Sequence, residues 1–159
     1  MGKSGLGKTE CALDLVMRGH RLVADDLIKI EKQTDGVLRG FSHELGRHHM
    51  EIRGLGIIDI EKLFGISATC EKKQIELIIE LMESEEVIDD RIGLEEQTYA
   101  IRGVEIPLKR IPVRPGRNLT AIVEVAVRDY LLKKRGHHAG KEFEQKLLKN
   151  LAKKRQQTR

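Results

Sequence analysis

The feature that most constrains this chain of 159 residues is a glycine-rich segment near its start. Positions 2–9 match the P-loop pattern G-x-x-x-x-G-K-[ST] in full, with the residues Gly2, Lys3, Ser4, Gly5, Leu6, Gly7, Lys8 and Thr9. Backbone N–H groups of such a loop surround phosphate oxygens, and the following helix directs its positive end toward them. We therefore expect Lys8 to reach the β- and γ-phosphates of a nucleotide and Thr9 to contact Mg²⁺. The alternative is a plain glycine-rich turn without a ligand.

Periodicity and turn residues predict an α/β fold with helices gathered toward the C-terminus. We expect a helix over 8–18 that ends at Gly19, and strands at 21–24, 75–81 and, in pieces, over 99–113. A loop over 55–64 is expected to lead into a short helix. The remaining signals are a turn at Asp35-Gly36, a helix between Asn118 and Gly136, and a last helix with Phe143, Leu147 and Leu151 on one face.

The position of the P-loop in the chain is unusual. A P-loop normally lies between a buried strand and its helix, and here only Met1 precedes Gly2. We therefore expect an α/β P-loop domain that lacks the strand normally preceding the loop, and a chain that is a fragment.

Composition narrows the functional classes. Aromatic residues make up only 3% of the chain, which argues against a surface that stacks nucleic-acid bases. No apolar run approaches the roughly 18 residues of a membrane span, and Cys11 and Cys70 are expected to be reduced thiols in a cytoplasmic protein. Residues 131–159 hold ten Lys and Arg against two Glu, so this tail could face nucleic acid, a membrane or an acidic protein, or be a solvated helix face.

A second candidate element is the segment 22–26, in which an apolar stretch ends in Asp25 and Asp26. A strand beside the P-loop that ends in an acid would bring a carboxylate near Mg²⁺ or the nucleophile. Adjacent side chains of a strand point to opposite sides, so the two carboxylates can hold different roles. The alternative is an Asp pair that merely begins a loop.

Four separated segments resemble bacterial HPr kinase/phosphorylase, and they follow one another in that family's order. They are residues 2–26, with the P-loop and the Asp pair; residues 50–59, Met-Glu-Ile-Arg-Gly-Leu-Gly-Ile-Ile-Asp; residues 90–96, Asp-Arg-Ile-Gly-Leu-Glu-Glu; and residues 111–118, Ile-Pro-Val-Arg-Pro-Gly-Arg-Asn. The likeness extends from Gly2 to about Leu151. It implies that residues 1–159 are the P-loop catalytic domain of such an enzyme, without that family's N-terminal domain and without a catalytic His that the family carries upstream of the P-loop.

The resemblance also implies an activity. It implies ATP-dependent, Mg²⁺-dependent phosphorylation of a serine of HPr, the small phosphocarrier protein of the sugar phosphotransferase system. The reverse reaction would be phosphorolysis, in which inorganic phosphate attacks the phosphoserine and pyrophosphate is released. Members of this family form hexamers and contact HPr through the C-terminal helix, so the expected partners are HPr and further copies of the chain, with no nucleic acid and no membrane.

The family's functional residues transfer to matching positions of this sequence. The resemblance gives Asp26 the role of the base that takes the serine proton and of the acid that returns it, and it gives Lys8 and Arg91 the stabilisation of charge on the transferred phosphoryl group. Thr9 and Glu51 would hold Mg²⁺, and Glu51, Arg53, Gly54 and Gly56 belong to the signature segment. The residues implied in phosphorolysis are Pro112, Val113, Arg114, Pro115, Gly116 and Arg117.

Each of these residues also has a simpler interpretation, and the function has rivals. Glu51 with Arg53 could form a surface ion pair, Arg91 could compensate an acidic loop, and Arg114 with Arg117 could form a basic turn without a ligand. The rival functions are a P-loop kinase for a small molecule, a non-catalytic ATP-binding regulatory module, and, least supported, nucleic-acid binding through the basic tail.

Overall fold

The computed structural model describes residues 1–83 and 96–157, and within these ranges it contains both helices and strands, with the last two helices following the last strand. The α-helices are α1 Lys8–Met17, α2 Ile60–Phe64, α3 Leu119–Lys134 and α4 Ala139–Gln157. The strands are β1 Ile28–Lys32, β2 Leu38–Ser42, β3 His49–Ile52, β4 Gly56–Asp59, β5 Lys72–Gln74, β6 Ile78–Glu83, β7 Gln97–Ile101 and β8 Val104–Val113. Short 3-10 turns cover Glu44–Gly46 and Ile66–Ala68.

The sheet that positions the P-loop has the order β6-β8-β7. β6 runs parallel to β8, with Leu81 opposite Ile111, and β7 returns antiparallel to β8. Gly2 adds a parallel bridge to Leu81 on the free side of β6, where the Leu81 amide donates to the Met1 carbonyl at 2.9 Å. The P-loop, the C-terminal end of β6 and the C-terminal end of β8 therefore leave the sheet at the same edge. In α/β proteins this is the edge where ligands bind.

The described part of the chain also contains two smaller sheets. β1, β2 and β5 pair antiparallel, and the first two are joined by a turn at Asp35, whose Oδ1 accepts from the Val37 amide at 3.0 Å. β3 and β4 form an antiparallel hairpin with Glu51 opposite Ile57. The hairpin thus carries the signature segment on a separate support from the P-loop.

Three apolar clusters hold these elements together. The cluster beside the P-loop packs α1 and α3 against the β6–β8 strands, through the buried residues Cys11, Leu81, Ile111 and Val123. A second cluster joins α1 to the β3–β4 hairpin and α2, through Val16, Leu22, Met50, Ile60 and Ala68. A third joins the β1–β2 sheet to β6, β7 and β8, through Leu38, Ile78, Ile106 and Leu108. Because α1 contributes to the first two clusters, it links the P-loop edge to the hairpin.

The α/β fold with C-terminal helices is confirmed. The predicted cap of α3 is present, since Asn118 Oδ1 accepts from the Ala121 amide at 3.0 Å, and α1 ends before Gly19, which has φ 91°. Among the described residues no helix is both long and apolar enough to cross a membrane.

Three predicted elements were placed wrongly. The strand expected at 21–24 is reduced to one parallel bridge between Leu22 and Thr69. The strand expected at 75–81 begins later, at Ile78. The loop expected over 55–64 contains β4, because Gly56–Asp59 pairs along its whole length with β3, but the short helix expected there is confirmed as α2, Ile60–Phe64.

Candidate phosphate-binding site

The P-loop adopts the conformation that its glycines permit. Gly5 and Gly7 have φ of 84° and 79°, a left-handed region that side chains disfavour. Gly7 is the N-cap of α1 and brings no side chain to its first turn. The N–H groups at a helix start need acceptors from outside the helix, and phosphate oxygens are suitable ones. The segment 2–9 therefore has the shape expected of a phosphate-binding loop.

Lys8 folds back over this loop. Its Nζ donates to the carbonyl oxygens of Gly2 at 3.0 Å and Lys3 at 2.7 Å. The ammonium group is thus held above the loop by neutral acceptors, which an anionic ligand can replace or supplement. Lys3 lies beside the end of β6, with its Nζ 3.7 Å from a Glu83 carboxylate oxygen. The arrangement suits Lys8 to contact a phosphate bound in the loop.

The side chain that joins the P-loop to the hairpin is Asp25. Its Oδ2 accepts from the Glu51 amide at 3.3 Å, and it also accepts from the Thr9 hydroxyl. Burial raises the pKa of Asp25, while these two donors act in the opposite direction and the neighbouring Asp26 and Glu10 raise it further. Thr9, Asp25 and Glu51 thus converge from three separate parts of the chain.

The Thr9 hydroxyl and the Asp25 carboxylate lie together here, and Glu51, whose amide contacts Asp25, carries a further carboxylate of the kind that Mg²⁺ binds. Magnesium binds through hydroxyl and carboxylate oxygens and keeps several water and phosphate ligands, so that one or two protein carboxylates are sufficient. Among residues 1–83 and 96–157 there is no group of three or more His, Cys, Asp or Glu that would form a metal cage by itself. The residues at this site suit a metal ion that arrives with a nucleotide, whose phosphates supply further oxygen ligands.

Asp26 and Arg53 lie on the exposed side of this region. Asp26 follows Asp25 directly and is exposed, so its carboxylate is open to a partner molecule. Arg53 is exposed at the hairpin turn, which Gly54 and Gly56 complete with φ of 86° and 90°. Arg91, to which the resemblance gives a catalytic role, lies outside the described residues.

The segment implied in phosphorolysis covers the last two residues of β8, Pro112 and Val113, and the turn that follows them. The Arg117 amide donates to the Arg114 carbonyl at 3.2 Å, and Arg117 Nη1 donates to the Pro112 carbonyl at 3.3 Å. Arg114, Pro115, Gly116 and Arg117 are exposed. Because β8 and β6 are parallel and Gly2 pairs with β6, this basic turn belongs to the same sheet edge as the P-loop.

Sequence reasoning identified the Asp pair but assigned a role only to Asp26. The contact of Asp25 with Thr9 and Glu51 was missed, because 26 residues separate Asp25 from Glu51 and no local pattern encodes their approach. The available signal was the adjacency of two Asp residues, which predicted two different environments. The structure has that difference, with Asp25 half-buried and Asp26 exposed.

Together, the fold and this edge define a P-loop α/β domain that is built to bind phosphate groups. The family model of the HPr Serine kinase C-terminal domain matches residues 1–147, and the chain belongs to this family. The chain is 56% identical over 149 residues to the HPr kinase/phosphorylase of Geobacter sulfurreducens, covering 93% of this chain and 47% of the relative. It is 50% identical over 152 residues to the HPr kinase/phosphorylase of Chloroherpeton thalassium, covering 95% of this chain and 45% of the relative.

A solved structure agrees with these relatives. The structure of the Hpr(Ser) kinase/phosphatase from Coxiella burnetii superposes with a TM-score of 0.81 at 35% sequence identity, covering 90% of this chain and 87% of that chain. The chain spans about half the length of the curated relatives that it matches.

Proposed function

We propose that this chain phosphorylates a serine of HPr with ATP and catalyses the reverse phosphorolysis, as the catalytic domain of an HPr kinase/phosphorylase. The observation that carries the proposal is that the P-loop residue Thr9 and the Glu51 amide of the hairpin both contact the Asp25 side chain, which is directly followed by Asp26. A phosphate-binding loop, a partly buried carboxylate and an exposed carboxylate side by side supply what phosphoryl transfer needs.

In the forward direction Asp26 would accept the proton of the serine hydroxyl while the serine oxygen attacks the γ-phosphorus of ATP and ADP leaves. Lys8 would bind the transferred phosphoryl group, because its Nζ already lies over the loop on two carbonyl oxygens. Mg²⁺, held by Thr9 and Glu51, would neutralise charge on the phosphates when bound. Arg91 is proposed, from the family resemblance alone, to stabilise the same charge.

In the reverse direction an oxygen of inorganic phosphate would attack the phosphoserine phosphorus, forming pyrophosphate. Protonated Asp26 would return its proton to the departing serine oxygen, so that each direction restores the base for the other. The turn over 112–117 supports this reaction with two guanidinium groups, Arg114 and Arg117, at the edge shared with the P-loop. Guanidinium groups bind phosphate through paired N–H donors.

The proposed protein partner would dock beside α4. This helix exposes the apolar side chains Phe143, Leu147, Leu148 and Leu151, of which Phe143 and Leu148 are about 60% exposed. The family's C-terminal helix contacts HPr, and an exposed apolar face of this kind suits a helix that binds another protein. The hexamer and the cytoplasmic location stay predictions based on the resemblance.

The test is phosphate transfer from Mg·ATP to purified HPr, followed by the intact mass of HPr. We expect the parent chain to form phosphoserine, and Asp26→Asn to bind ATP normally while losing transfer by about a hundredfold or more. Lys8→Ala should lose both nucleotide affinity and transfer. Asp129→Asn is the matched control, because Asp129 is on α3 and pairs with Lys133 at 2.8 Å, away from the site. A folded parent that binds ATP but phosphorylates no HPr would contradict the proposal and favour a non-catalytic nucleotide-binding module.

A further inference from the structure

A chain of polar contacts connects the two supports of the phosphate site behind its carboxylates. At its centre is Glu61 of α2, whose Oε2 lies 2.7 Å from His48 Nδ1 and accepts from the Thr69 hydroxyl at 3.2 Å. His48 immediately precedes β3, the strand that carries Glu51, and Thr69 lies beside the segment that leads to Asp25. None of these three residues has a role in the chemistry described above.

The His48 end is defined by two neighbours. Arg47 Nε donates to His48 Nε2 at 3.2 Å, so Nε2 is an acceptor and the ring proton is on Nδ1, which donates to Glu61. The His48 backbone has φ 64°, a conformation that residues with a side chain rarely adopt. The His48 carbonyl accepts from the Ile60 amide at 2.8 Å, so α2 holds both the backbone and the side chain of this residue.

The Thr69 end is buried, with only 5% of the residue exposed. Its carbonyl accepts from Arg21 Nε at 3.0 Å and from Arg21 Nη2 at 2.6 Å. The residues on either side of Thr69 bracket Leu22, since the Leu22 amide donates to Ala68 and the Cys70 amide donates to Leu22, both at 2.8 Å. Leu22 lies three residues before Asp25, so the position of Thr69 determines where the Asp pair begins.

These contacts close into a ring. From Glu51 the path runs along β3 to His48, across Glu61 to Thr69, through Leu22 to Asp25, and back through the 3.3 Å hydrogen bond from the Glu51 amide to Asp25 Oδ2. The apolar cluster that contains Met50 and Ile60 already holds these elements together, but apolar packing is not directional. Hydrogen bonds are directional, and this ring of contacts limits how far the Asp25 carboxylate can move from the main chain at Glu51.

We propose that His48, Glu61 and Thr69 are positioning residues that set the separation of Asp25 and Glu51 and thereby the affinity of the nucleotide-loaded site for Mg²⁺. This inference rests on the proposed function as far as catalysis is concerned. The quantity that it predicts directly is the affinity of the site for Mg²⁺. Residues behind metal ligands typically change metal affinity or activity by about ten- to a hundredfold when they are altered. The P-loop contacts to the nucleotide itself lie outside the ring.

The experiment compares the affinity of the chain for ATP in excess Mg²⁺ with its affinity in EDTA, by titration calorimetry without HPr. Thr69→Val removes the hydroxyl at nearly constant volume and should weaken Mg²⁺-dependent binding about tenfold or more while leaving binding in EDTA unchanged. Thr69→Ser keeps the hydroxyl and should restore the parent value. The matched control is Thr120→Val, a buried Thr with 5% exposure at the start of α3 whose hydroxyl contacts Cys11, and it should change neither affinity.

Glu61→Gln provides a second route, because it keeps the size of the side chain but removes the charge that His48 and Thr69 share. We expect the same selective loss of Mg²⁺-dependent affinity if Thr69→Val does not fold. Equal losses with and without Mg²⁺, no loss in either variant, or a loss as large in Thr120→Val would overturn the inference. So would a parent chain whose ATP affinity does not depend on Mg²⁺.

Two measurements, the Mg²⁺-dependent affinity for ATP and the transfer of phosphate to HPr, distinguish this inference from the proposed function. A selective loss of Mg²⁺-dependent affinity in a chain that phosphorylates no HPr supports the positioning residues and contradicts the kinase. Normal transfer to HPr by the parent, combined with unchanged metal dependence in Thr69→Val and Glu61→Gln, supports the kinase and contradicts the positioning residues.

Discussion

Replacing Gly2 by Ala should damage the start of the P-loop through the backbone rather than through any lost side chain. A Cβ built on Gly2 lies 2.5 Å from the Leu81 carbonyl oxygen, and Gly2 has φ 137°. The contacted atom belongs to the main chain of β6, so no side-chain rotation relieves the contact. An L-residue in such a conformation costs about 1–3 kcal/mol. Moving the chain away would also lose the 2.9 Å bond from the Leu81 amide to the Met1 carbonyl, worth about 1 kcal/mol.

The expected loss in the free energy of unfolding for Gly2→Ala is therefore about 2–4 kcal/mol, a large part of a typical domain's stability. Gly36→Ala is the matched control. Its φ is also positive, at 81°, but no atom lies within 4 Å of the built Cβ, so only a conformational cost of about 1–2 kcal/mol is expected.

Urea unfolding followed by circular dichroism measures both variants, since the chain has no Trp for fluorescence. Gly2→Ala should also weaken ATP binding, whereas Gly36→Ala, in the β1–β2 turn, should preserve it. The reasoning is refuted if Gly2→Ala is no less stable than Gly36→Ala and binds ATP as the parent does. That result would mean that the contact with Leu81 does not fix the entry into the P-loop.

Three further predictions follow from the site. Asp25→Asn should stabilise the ligand-free chain at pH values above the unfolded-state pKa of Asp25, near 3.8. Because the pKa of Asp25 is raised in the folded state, the parent's free energy of unfolding falls as pH rises from the unfolded-state to the folded-state pKa. Urea unfolding at several pH values should show this fall in the parent and not in the variant. Arg114→Ala should lower phosphate-dependent release of pyrophosphate about a hundredfold but change ATP-driven phosphorylation of HPr far less, which parallel assays of both directions test. Phe143→Asp should raise the KM for HPr without changing the melting temperature, because this side chain is 61% exposed on α4; an unchanged KM would exclude this face as the docking surface.

The elements that sequence predicted well are those whose determinants are contiguous. The P-loop is encoded by consecutive residues, and α3 is predicted by the Asn118 cap and by helical periodicity. β5 was missed because Lys72, Lys73 and Gln74 are exposed and have no strand preference of their own; their strand conformation comes from pairing with β2. β4 was missed although Ile57 and Ile58 favour strands, because the glycines around the segment, Gly54, Gly56 and Gly65, indicated a loop.

The same distinction between local and distant determinants applies to the site. The roles of Thr9, Asp26 and Glu51 were assigned from short motifs that this sequence shares with the family it resembles. The contact between Asp25 and Glu51, and the link from Glu61 to both His48 and Thr69, join residues distant along the chain. Such contacts depend on how the hairpin packs on α1, which no spacing in the sequence determines.

Backbone strain provides independent support for the importance of the hairpin's start. Among the described residues two residues other than glycine have a positive φ, Arg102 at 49° and His48 at 64°. Arg102 is explained locally, because it forms with Gly103 the two-residue turn between β7 and β8, and such turns require positive φ at both positions. His48 instead forms, with Arg47, the turn that leads into β3, and its conformation is held by its contacts with Ile60 and Glu61. A strained residue persists only where its surroundings over-determine it. For His48 these surroundings are part of the ring of contacts that holds Asp25 beside Glu51. The strained residue therefore lies in the ring that supports the candidate metal site.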